Sequence, residues 1–188
     1  MKILFLIILF ITTFSGGNSG EIDFEHRSLL KALKKSNGSS DLEELYIPDS
    51  VAPSLNDQGK YFRVPATVKD KEVAYVYVGR VYSCRSGGCS APGMEINTGF
   101  EYFDYFILYN PEGTVEQVKV YNYQATHGQE ITIRGWLRQF EDYSPGDDLK
   151  VGKQIDGIAG ATISVYAITE DVRQKTTLLH QIIDVQYS

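Results

Sequence analysis

Two runs in the middle of the chain constrain its fold most. Tyr102 to Tyr109 and Val115 to Tyr123 are rich in aromatic and β-branched residues, and Asn110-Pro-Glu-Gly113 joins them. Pro and Gly in those places make a turn, so the pair reads as a β-hairpin. Upstream, Tyr61-Phe-Arg-Val64 and Glu72 to Val81 have the same character and add strands to it. At the far end, Val165, Ile168, Val172, Leu179 and Ile183 recur three, four or seven residues apart, which is one face of a long C-terminal helix. The expected class is α+β: a largely antiparallel sheet flanked by helices.

The connecting segments carry weaker signals. Glu21 to Lys35 has Leu29, Leu30 and Leu33 at helical spacing and ends before Asn37-Gly38, a stop signal. Ser36 to Ser40 reads as a linker. Ser40-Asp-Leu-Glu43 has the spacing of a capping box and predicts a short helical turn, which Pro48 limits. Residues 49–60 read as irregular. Thr126-His-Gly-Gln129 can cap a helix to about Phe140, with Ile133, Trp136, Leu137 and Phe140 on one side and Gly135 counting against it. Ser144-Pro-Gly-Asp-Asp148 is a turn.

The N-terminus sets the compartment. Met1-Lys2 precedes the apolar run Ile3 to Ile11, and a small-residue stretch, Ser15 to Gly20, follows. A basic start, an apolar core and a small-residue exit are the parts of a secretory signal peptide. The run is shorter than the roughly 20 residues a spanning helix needs, although an uncleaved anchor stays open as an alternative. The reading is thus a signal peptide over 1–17, a helical and irregular segment over 18–60, and one domain over 61–188, working outside the cytoplasm. The 18 basic side chains against 24 acidic ones argue against a nucleic-acid surface, which needs a basic patch to neutralise phosphates.

The chemistry is concentrated in Asp156-Gly-Ile-Ala-Gly-Ala-Thr162, directly before the long helix. Small residues at 157, 159, 160 and 161 leave a loop with almost no side-chain bulk, so backbone can approach a ligand closely. The first N–H groups of a helix lack internal partners and sit at the positive end of its dipole, which favours a phosphate. A threonine hydroxyl at that junction would face it. The plain alternative is that Thr162 or Ser164 is only the N-cap of the helix.

Asp156, Gly160, Ala161 and Thr162, with Ala159 where serine is usual, resemble the flavinylation motif of the FMN-binding domain family. That family includes the FMN-bearing subunits of bacterial sodium-pumping quinone reductases and related electron-transport complexes. The resemblance covers roughly residues 72–175, with its specific part confined to 156–162. It implies that Thr162 bears FMN through a phosphoester bond, installed by a separate magnesium-dependent transferase that uses FAD, and that Asp156 serves recognition by that transferase. It also implies a redox donor and acceptor that the sequence does not name, a membrane-associated partner being one option. The chain departs from the large complexes in carrying His127-Gly-Gln-Glu130 where relatives often have a His-x-Glu-Thr-Pro-Gly-like segment. It is similar in this to small exported FMN-binding proteins with a nearby Trp. His127 and Glu130 are therefore candidate flavin-side groups, against the reading that Thr126 and Gln129 cap a helix and His127 is solvated.

Cys84-Arg-Ser-Gly-Gly-Cys89 is the second distinctive feature, within a glycine-rich loop from Ser83 to Gly93. Gly87-Gly88 permits a reversal, so a disulfide across it is feasible in an oxidising compartment. It is either a structural staple or a redox-active pair, with Arg85 favouring a thiolate. The spacing is neither that of thioredoxin-like nor of haem motifs, and two ligands are too few for structural zinc. No acid, base or substrate pocket can be assigned, so an extracytoplasmic flavoprotein acting in electron transfer is favoured over an enzyme with its own substrate. The alternative is a thiol–disulfide module, or a plain exported binding domain, centred on Cys84 and Cys89.

Overall fold

The structure, a computed structural model, describes residues 20–47, 51, 59–65, 73–85 and 100–187, with the backbone alone for 84, 85, 100, 186 and 187. The expected signal peptide, Cys89 with most of its loop, Pro48 and most of 49–60 lie outside the described residues. Five antiparallel strands form one sheet in the order of the chain: β1 (Glu43–Glu44), β2 (Gly59–Arg63), β3 (Tyr75–Arg85), β4 (Phe100–Tyr109) and β5 (Val115–Gln124). The hairpin read from sequence is β4–β5, closed by the Asn110 N–H donating to the Thr114 carbonyl and the Gly113 N–H donating to the Asn110 carbonyl. The α+β class is observed.

The sheet is covered on both sides. Period-two alternation sends Phe62, Val76, Val78, Phe106 and Leu108 to one face, where they meet Leu29 and Leu33 of α1 (Arg27–Asn37). Tyr61, Tyr77, Phe103, Tyr105, Ile107 and Tyr109 go to the other, against α3 (Thr162–Tyr187). Strands buried on both faces read as continuous apolar runs rather than alternating ones, which is why β3 and β4 showed no polar stripe. Each fully buried leucine of α1 contributes about 1.5–3 kcal/mol. On α3, Val165, Ile168, Val172 and Leu179 are fully buried as expected, while at the end of the stripe Ile182 takes the core position and Ile183 packs at its edge.

α1 starts six residues later than its spacing suggested, because His26 caps it through the Ser28 N–H. It ends at Asn37, with Gly38 at φ +73° donating to the Lys34 carbonyl. Asn37 is more than linker: its side chain donates to the Val73 carbonyl at 2.6 Å and accepts from the Val73 N–H at 3.3 Å, joining α1 to the approach to β3.

Two expectations fail. The capping-box segment is not helical, since Glu43 and Glu44 pair with Arg63 and Phe62, and it is Ser39 that receives the Asp41 N–H. A neighbouring strand outweighs a four-residue capping pattern, because one isolated turn gains a single bond for three fixed residues. The expected helix over 126–140 is broken into a 3-10 turn (Gln129–Thr132), the short α2 (Arg134–Leu137) and a second 3-10 turn (Arg138–Phe140). Thr126 does not cap it. Its N–H and hydroxyl both donate to the Glu101 carboxylate, Gly128 is left-handed, and Ile133 is extended. Ile131, Trp136, Leu137 and Phe140 enter the core, while Ile133 is left 57% exposed. Among the described residues, no helix is long and apolar enough to cross a membrane.

Candidate functional site

The loop into α3 is held by its backbone, leaving its small side chains outward. The Trp136 indole N–H donates to the Asp156 carbonyl at 2.9 Å, and the Asp156 N–H donates to the Gln139 side chain at 2.7 Å. Trp136 and Gln139 are three residues apart, neighbours on one helical face, so α2 and the turn after it hold both backbone polar groups of one residue, Asp156. The Asp156 side chain is exposed. Five residues on, the Ala161 N–H returns to the Ile158 carbonyl at 3.1 Å, and Gly160, third in that turn, has φ +83°. A positive φ at the third position of a turn favours glycine, so the Gly160 of the motif has a backbone reason. The Val165 N–H then donates to the Ala161 carbonyl at 2.9 Å, which starts the helix.

Neither Thr162 nor Ser164 is the N-cap. Ala161 occupies that position, with no hydroxyl to offer, and its methyl is buried in the core. The Thr162 side chain is exposed in the first turn. Ser164 is buried and pairs with the Tyr123 hydroxyl at 3.2 Å. A capless helix start leaves its first N–H groups open to another acceptor.

A second segment reaches the same helix end. Gly128, at φ +88°, lies so close that a β-carbon there would stand 2.9 Å from Ser164 Oγ, 3.0 Å from the Tyr123 hydroxyl and 3.3 Å from the Ala161 methyl. The Tyr123 hydroxyl also donates to the His127 carbonyl at 2.5 Å, and its ring stacks on Phe103 at 5.8 Å. Burial holds the Tyr123 phenol above its ordinary pKa. Ser164 pulls it back, and the Glu101 and Glu130 charges push it further up. His127 and Glu130 themselves are exposed.

The structure thus brings 156–164 and 127–130 to one helix end, but onto different flanks. Thr162 and Ser164 are two residues apart, hence about 200° around the axis. Since Ser164 faces Tyr123 and Gly128, Thr162 points to the opposite flank. Tyr166 stands there one turn further on and is 57% exposed. Ala159 and Gly160 are exposed beside it, and β-carbons at Gly157 and Gly160 would meet nothing within 4 Å. Cys84 belongs to β3 by its backbone, and its pairing with Cys89 lies outside the described residues.

Tyr123, Trp136 and Gln139 organise the site, and sequence reasoning did not assign them to it. Their signal is weak, because the bond by which each reaches the loop or the helix start spans 17 to 41 positions.

The group that the motif implies fits these residues. An exposed hydroxyl stands at an uncapped helix start, and the preceding loop carries no bulk over it. No curated protein matches the chain. The family model described as FMN-binding domain matches residues 103–176, from β4 through the first half of α3. Over those residues the chain is similar to this family, which is the one that the motif resembles.

Proposed function

We propose that the protein is an extracytoplasmic electron-transfer flavoprotein that carries FMN by a phosphoester to the Thr162 hydroxyl. The observation that carries this is the exposed Thr162 in the first turn of α3, behind a loop whose Gly160 is left-handed and open. Bound there, FMN would supply the redox chemistry, and the protein its position and potential. Thr162 supplies the attachment oxygen. The first-turn N–H groups offer donors and a positive dipole end to the phosphate. Trp136 and Gln139 hold the Asp156 backbone in place, so that an FAD-using, magnesium-dependent transferase meets the exposed Asp156 in a fixed position before α3. His127 and Glu130 stand on the Ser164 side of the helix end as polar groups toward the flavin or its redox partner. The apolar N-terminal run supports export, and a covalent bond would retain the cofactor where no flavin pool replaces it.

The test is co-expression of the full chain with such a transferase, followed by intact mass. One FMN less one water should be added to wild type and be absent from Thr162→Ala, and Asp156→Ala should lower the yield. An unmodified wild-type protein under these conditions would sink the reading.

A further inference from the structure

The flank of α3 that carries Thr162 runs into a cleft. Tyr166, Thr169 and Glu170 lie four, seven and eight residues beyond Thr162, which places them on its side of the helix. With Leu149, Lys150 and Val151 they line a cleft of about 320 Å³. The strap across it is held in place: Val151 bridges to Ile155, and the Gly152 N–H donates to the Ile155 carbonyl at 2.8 Å. Leu149 is buried at its base, and Thr169 turns its hydroxyl back to the Val165 carbonyl at 2.7 Å. The hydroxyl is thereby satisfied, which leaves the floor apolar. Lys150 and Glu170 stand at the exposed rim. Tyr166 is among the most exposed large aromatics of the described residues, and it is exposed where the cleft opens.

We infer that this cleft receives the isoalloxazine ring of FMN attached at Thr162, with Tyr166 as the surface on which the ring stacks. The inference rests on the attachment reading above. The distances agree. Helix rise puts Tyr166 about 6 Å and Glu170 about 12 Å along the axis from Thr162. Seven bonds separate the ring from phosphorus in FMN, and at about 1.3 Å of advance per single bond the ring sits roughly 9 Å out. That is the level of the cleft. An exposed phenol face beside an apolar floor is the setting in which a flat aromatic system gains from offset stacking. The Ser164 flank is closed to the ring close to the helix, because Gly128, Tyr123 and Ser164 fill it.

The experiment uses full-chain protein flavinylated in vivo, with the intact mass confirming FMN before each optical measurement. In wild type, Tyr166 holds flavin emission low and the fixed ring gives circular dichroism in the visible bands. Tyr166→Ala raises the emission several-fold and flattens those bands at unchanged mass. Because Tyr166 is exposed, the substitution leaves the fold intact, as far-ultraviolet circular dichroism will show. Unchanged emission and visible bands in flavinylated Tyr166→Ala would overturn the inference and leave the attachment standing. So would a response confined to His127→Ala and Glu130→Gln, which would put the ring on the other flank. Absence of the mass gain from wild type would overturn both.

Discussion

Gly128 touches Ser164 with no room for a side chain between them: a β-carbon at 128 would stand 2.9 Å from Ser164 Oγ. The φ of +88° at Gly128 adds a backbone penalty for any other residue. Gly128→Ala should therefore destabilise by about 1–3 kcal/mol. Adding Ser164→Ala should return only the share of the crowding that Ser164 Oγ causes, since the Tyr123 hydroxyl and the Ala161 methyl stay in place. Urea denaturation of the two proteins measures this, and a Gly128→Ala variant as stable as wild type would refute the contact.

Arg80 and Asp104 form a buried ion pair on the α1 side of the sheet, with Nε to Oδ1 at 2.6 Å and Nη2 to Oδ2 at 3.0 Å. Asn122 donates to the same carboxylate at 2.7 Å, and Arg80 donates to the Gly20 carbonyl at 2.6 Å. Removing one partner strands the other, so Asp104→Ala should cost about 3–5 kcal/mol. The double change Arg80→Met with Asp104→Leu should recover most of that loss. Thermal melts of the single and double variants decide it.

The Tyr77 ring lies over Gly59 and Gly79, which pair across β2 and β3. Its hydroxyl is buried without a hydrogen-bond partner among the described residues, a condition that costs about 1–3 kcal/mol. Tyr77→Phe should thus be neutral or stabilising. Tyr61→Phe should lose about 1 kcal/mol, since the Tyr61 hydroxyl donates to the Lys175 carbonyl at 2.8 Å. Chemical denaturation of the pair provides an internal control, and a clear loss in Tyr77→Phe would count against the packing described.

Asp171, on α3, accepts from the Tyr105 hydroxyl and lies 3.7 Å from Lys175. Burial raises its pKa above the ordinary 3.8, against the pull of Lys175 and Tyr105. Between 3.8 and the raised value the fold holds a proton that the unfolded chain has released. Its contribution to stability therefore falls as pH rises through that interval. Asp171→Asn removes this slope, so the variant's melting temperature relative to wild type should climb as pH goes from below 3.8 toward neutrality. A constant difference across the series would contradict the shift.

Long-range order and local pattern divide the outcome. The β4–β5 hairpin, the long α3 with Val165, Ile168, Val172 and Leu179 inward, and the small-residue loop before Thr162 were legible because each is written in neighbouring residues through a period or a turn. The segment after β5 was not. Its apolar spacing fits a helix, yet Thr126 is taken by Glu101, and Ile133 turns outward so that Trp136 can reach Asp156. Ser40 to Glu43 likewise carried a helical signature that pairing with β2 overrode.

For the site, the chain by itself determined that two hydroxyls, Thr162 and Ser164, stand at a helix start and that the loop before them is bare. Only the tertiary structure decided which way each of them faces. Ser164 is claimed by Tyr123 and Gly128, contacts across 36 to 41 residues. Helix geometry then turns Thr162 to the opposite side, toward Tyr166 and the strap over Val151. Sequence spacing sets angles around one helix axis, but packing partners distant in the chain set which of those angles meets solvent.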